Sequence, residues 1–70
     1  MNTKTCTILG DKLEIHWTGN VWEAPSTHRT FTSAKAAMRE ELEQYFLACG
    51  DDIEDESTLE EIEGILSNME

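Results

Sequence analysis

The sequence predicts an α+β fold: a three-stranded antiparallel sheet followed by two helices. Three observations lead there. The first 24 residues hold short runs of strand-forming residues separated by two-residue turn signals. Residues 33–49 carry apolar side chains at helical spacing. A shorter stretch, 58–68, does the same after an acidic linker.

Strand one is expected at 5–9, where Thr5, Thr7 and Ile8 are β-branched. Gly10-Asp11 reads as a two-residue hairpin turn. Strand two, 12–18, alternates, with Leu13, Ile15 and Trp17 on one face and Glu14 and His16 on the other. Gly19-Asn20 is a second turn, and 21–24 continue as strand three until Pro25 stops it. These turns pair Leu9 with Lys12, Ile8 with Leu13, Cys6 with Ile15 and Trp17 with Trp22. One face then gathers Cys6, Ile8, Leu13, Ile15, Trp17, Trp22 and Ala24, so turn chemistry and polarity agree on which side is apolar. The two tryptophans read first as cross-strand core partners. The other reading is a patch that overhangs the helix and meets a partner.

Residues 25–32 read as a polar connection. Thr32 or Ser33 offers an N-cap to the first helix, whose apolar stripe is Ala34, Ala37, Met38, Leu42, Tyr45, Phe46 and Cys49. Gly50 is a natural stop. Ser57 with Glu60 forms a capping box for the second helix, striped by Leu59, Ile62, Ile65, Leu66 and Met69. That helix is expected either to dock beside the first or to project from it.

Seventy residues make one domain, 1–70. A chain of this size hides only about 60% of its unfolded surface. A catalytic cleft cut into so small a core would remove what holds the fold, whereas forming a homodimer would add burial. No apolar run approaches the roughly 20 residues of a membrane span, and no leader pattern opens the chain. Cys6 and Cys49 fit a reducing compartment, so a host-cell cytoplasm is expected.

No catalytic constellation stands out. The cysteines occupy apolar positions, where a thiol packs as a small hydrophobe, and neither histidine has an evident nucleophile partner. No cofactor loop occurs, and Cys6, His16, His28 and Cys49 lack short zinc-type spacing. One window, Asp52–Glu63, sets acids at positions 1, 3, 5 and 12 of an EF-hand-like loop, but Ser57 stands where a glycine is needed. A calcium-binding helix pair is therefore a minor alternative, and the expectation is no metal, no cofactor and no enzyme.

Charge is the strongest signal. The net charge is −10, yet residues 1–39 carry five bases against three acids, while 40–70 carry twelve acids and no base. Ordinary helical surfaces mix signs to gain i,i+4 pairs. Lys35 in the first turn of helix one, and Asp51 and Asp52 after its end, oppose the helix dipole. The candidate binding residues are Glu40, Glu41, Glu43, Asp51, Asp52, Glu54, Asp55, Glu56, Glu60, Glu61 and Glu63. Such an array repels nucleic acid and attracts basic surfaces. It could stand in for a phosphate backbone in a basic groove. Charge reversal at Glu40, Glu41 and Glu43, or at Asp51, Asp52 and Asp55, is expected to weaken binding and spare the fold.

This block, on a small acidic α+β chain, resembles phage-encoded inhibitors of the anti-CRISPR type. The resemblance implies a non-enzymatic inhibitor that binds a basic surface of a CRISPR effector complex by nucleic-acid mimicry. It implies no direct contact with nucleic acid or membrane. Residues 12–47, with Phe31-Thr32-Ser33, Ala37, Leu42 and Tyr45, are also similar to the partial RNase-H-like fold of HicB antitoxins. That likeness implies an antitoxin or adaptor that pairs through its sheet edge and helix.

Overall fold

Four strands, one more than the polarity pattern predicts, precede the two helices. The computed structural model describes residues 3–68. The strands are β1 (Thr3–Ile8), β2 (Asp11–Trp17), β3 (Trp22–Ala24) and β4 (Arg29–Phe31); the helices are α1 (Ala34–Ala48) and α2 (Glu56–Ser67). The sheet is an antiparallel meander in chain order, β1-β2-β3-β4. The fourth strand is three residues long and follows Pro25-Ser26-Thr27-His28, a run that reads as plain loop. It is a hairpin turn instead: the His28 amide donates to the Ala24 carbonyl at 2.7 Å, and His28 takes φ 62°. Histidine tolerates this left-handed conformation better than most residues. Phe31 then pairs with Trp22, and Arg29 with Ala24.

The first hairpin closes differently from the expected register. Ile8 pairs with Asp11, Cys6 with Leu13 and Lys4 with Ile15. The turn is therefore Leu9-Gly10, not Gly10-Asp11. Both residues have positive φ, 52° and 84°, as a type I′ turn demands. The shift is two residues, an even number, so Cys6, Ile8, Leu13 and Ile15 keep their common face. Leucine in the left-handed region costs about 1–2 kcal/mol. The second hairpin has the expected register, with Trp17 opposite Trp22.

Ser33 caps α1, its hydroxyl accepting from the Ala36 amide. The helix ends in a Schellman motif: the Gly50 amide donates to Leu47 and the Asp51 amide to Phe46, with Gly50 at φ 90°. α2 begins two residues before the expected start. Asp55, not Ser57, is its N-cap, accepting from the Ser57 amide at 2.8 Å. An aspartate cap also suits the positive end of the helix dipole.

The core joins three layers of contact. Ile8 and Ile15 rise from the sheet to meet Ala37, Met38, Leu42 and Phe46 of α1. Ile62 and Leu66 of α2 close it from the far side, so the second helix docks rather than projects. Ile15, Met38, Leu42 and Ile62 are fully buried. No helix among the described residues is long and apolar enough to cross a membrane.

Candidate interaction surface

The eleven candidate acids fall into two groups once folded. Glu40, Glu41, Glu43 and Glu63 are occupied within the molecule. Glu41 is 6% exposed and accepts both the Ser26 amide and the Ser26 hydroxyl, each at 2.8 Å. It ties the β3–β4 turn to the middle of α1. Glu40 is 9% exposed and lies 3.8 Å from the Arg29 guanidinium, which also stands over the Phe31 ring. Arg39 bridges Glu43 at 3.2 Å and Glu63 at 2.6 Å. That clamp joins α1 to α2. These hydrogen bonds push the Arg39 guanidinium pKa further up, the Glu63 contact contributing most. Reversal of Glu41 would therefore strike the fold, contrary to the expectation from charge alone. The pattern held the signal: position 41 lies three and four residues beyond Met38 and Ala37, on the inward arc of the helix.

The second group forms the surface. Asp51, Asp52, Glu54, Asp55, Glu56, Glu60 and Glu61 are all exposed or lie on the solvent side of the packed helices, apart from the partners named here. Among the described residues no ion pair engages any of them. Their backbone is well tethered. Ile53 packs against the core, the Asp55 amide donates to the Asp52 carbonyl at 3.0 Å, and Asp52 Oδ1 accepts the Glu54 amide at 2.9 Å. The 51–56 segment is a short acidic ridge held at both ends, by the Schellman motif and by the Asp55 cap. Glu60 and Glu61 extend it along α2.

The ridge shares one end of the molecule with the β1–β2 hairpin. Tyr45 of α1 donates its hydroxyl to Asp11 Oδ2 at 2.8 Å. The neighbouring Phe46 carbonyl accepts the Asp51 amide. The Asp11 carboxylate pushes the Tyr45 pKa up to about 12. The exposed Leu9 sits at the tip of that hairpin.

The remaining candidates lie apart. Cys6 is half-buried and its thiol contacts Met38 Sδ at 3.6 Å; burial pushes its pKa up. Cys49 is exposed at the C-cap of α1. His28 Nδ1 lies 3.5 Å from Glu23, across the β3–β4 hairpin. Among the described residues no three His, Cys, Asp or Glu side chains gather as a metal site would require. The calcium reading needs Glu56 to Glu63 in or closing a loop, but both lie on α2, about 10 Å apart along its axis. Trp17 and Trp22 meet with ring centroids 5.3 Å apart and their planes tilted by 55°; Trp22 packs on the core, and Trp17 leans on Trp22. No protein-family model, curated protein or solved structure matches this chain.

Proposed function

We propose that this chain is a non-enzymatic acidic inhibitor of the anti-CRISPR type. It occludes a basic nucleic-acid-binding surface on a CRISPR effector complex by presenting carboxylates where phosphates would lie. The observation that carries this reading is the backbone-anchored acidic ridge of residues 51–56, continued by Glu60 and Glu61, whose carboxylates have no ion-pair partner among the described residues. A merely solvating face has no need of backbone anchoring. An array that must match fixed cationic sites gains from it, because less freedom is lost on binding.

The test uses purified effector ribonucleoproteins and labelled target DNA. The chain is expected to displace the DNA, and its affinity to fall steeply as salt rises. Joint reversal of Asp51, Glu54, Glu60 and Glu61 to lysine should abolish displacement without unfolding the chain, since none of their side chains makes a hydrogen bond or ion pair among the described residues. A salt-independent complex would sink the mimicry reading. Trp17, tilted against Trp22 and outside the core cluster, favours a second reading, an adaptor or antitoxin that pairs through its sheet. Under it, Trp17→Ala should weaken binding more than charge reversal does.

A further inference from the structure

We infer that Leu9 is an apolar anchor, set in the acidic end of the molecule, that enters a socket on the same basic partner surface; this rests on the inhibitor reading above. Leu9 is 75% exposed, more than any other large apolar side chain among the described residues, and holds a left-handed backbone at φ 52°. Leu47, the other exposed one, sits on an unstrained helix and is ordinary surface.

The strain has no local explanation. A turn at Gly10-Asp11 would put two residues that tolerate the left-handed region in the two central positions. It would also keep the same apolar face. The observed register places Asp11 in β2, where it receives the Tyr45 hydroxyl, and that accounts for the register. It does not account for leucine. Asparagine, aspartate or glycine at position 9 would keep the register and the Tyr45 bond and relieve the strain. An observed backbone outlier of this kind points to function when the fold gains nothing from it. The surroundings say what the function is. Asp11 follows two residues on, and Tyr45 and Phe46 connect that hairpin to the Asp51 end of the acidic ridge. Leu9 is an apolar tip on the hairpin that Asp11 ties to the C-terminal end of α1, from which the acidic ridge departs; the exposed Lys12 stands on the same hairpin. An apolar tip carried at the ridge end of the molecule fits a basic surface with an apolar recess.

The experiment compares wild type, Leu9→Asn, Leu9→Met and the Asp51/Glu54/Glu60/Glu61→Lys variant by thermal melting. Each is then assayed for DNA displacement from the effector that the wild-type chain inhibits. Leu9→Asn is expected to melt higher than wild type yet bind at least tenfold more weakly, while Leu9→Met retains binding. Full binding by Leu9→Asn, with binding lost on charge reversal, overturns the anchor and leaves the inhibitor reading standing. A lower melting temperature for Leu9→Asn also overturns it, because Leu9 would then serve the fold. If wild type displaces DNA from no effector, both readings fall together.

Discussion

The Tyr45 hydroxyl donates to Asp11 Oδ2 across 2.8 Å, joining the C-terminal third of α1 to the first residue of β2. The bond favours the neutral phenol, and the raised pKa follows from it. The chain has a single tyrosine. Its ionisation, followed by absorbance near 295 nm, should therefore titrate at about 12 in the folded protein. It should move towards the ordinary value of about 10 in Asp11→Asn. Because the folded pKa is the higher one, the stabilisation is complete below about pH 10 and fades as pH rises through about 12. Wild type and Asp11→Asn should accordingly converge in stability at the alkaline limit of that window.

Glu41 should behave as a structural residue despite its charge. Two hydrogen bonds from Ser26 to one buried carboxylate are at stake. Bonds to charged groups contribute about 1.5–3 kcal/mol, so Glu41→Ala should lower urea-unfolding stability by about that much. Glu54→Ala, exposed and without an ion pair, should stay within about 0.5 kcal/mol of wild type. Equal effects would show that the ridge and the Ser26 tie are energetically alike, against the geometry.

Leu42 is fully buried in the core cluster to which the sheet, α1 and α2 all contribute. Truncating such a leucine to alanine costs about 2–5 kcal/mol. A core of this size supplies roughly 3–5 kcal/mol in all. Leu42→Ala should thus lose most of its stability, with a melting transition brought down towards 25 °C and a large unfolded fraction by circular dichroism at 37 °C. A cooperative melt above 50 °C would contradict the layer arrangement.

Salt should stabilise the free protein. Two effects oppose each other: screening weakens the Arg39 clamp to Glu43 and Glu63, and it relieves repulsion within a net charge of −10. The clamp is partly exposed, so each pair contributes only about 0.2–1 kcal/mol. Repulsion among the unpaired acids of the ridge outweighs that contribution. Melting temperature should rise between 10 and 300 mM sodium chloride, by about 4–8 °C for each kcal/mol recovered. In Arg39→Met, which lacks the clamp, the rise should be steeper.

The features read most readily from the sequence were those with a period. Leu13, Ile15 and Trp17 alternate, and Ala34, Ala37, Met38 and Leu42 recur at helical spacing, so β2, α1 and their shared face were legible. β4 was not, because Arg29-Thr30-Phe31 is too short to show a period and is set by the turn at His28. The Leu9-Gly10 turn was hidden for a different reason. A long-range bond, Tyr45 to Asp11, overrides the better local turn at Gly10-Asp11. The acidic half was legible as a charge count but not as a surface. Packing separates Glu40 and Glu41, folded inward, from Asp51, Asp52, Glu54, Asp55 and Glu56, which face solvent; of these only Glu41 carried a signal in the pattern, its place on the inward arc with Ala37 and Met38.

The strand order bears on timing. Each strand of the meander pairs with the one just before it, and no pairing waits for a distant segment. Such topologies fold quickly, because little loop-closure entropy must be spent before contacts form. In chain order the sheet comes first, then α1 to cover it, then the ridge, and α2 last, so the ridge is fixed only when Ile62 and Leu66 close the core and the Asp55 cap forms.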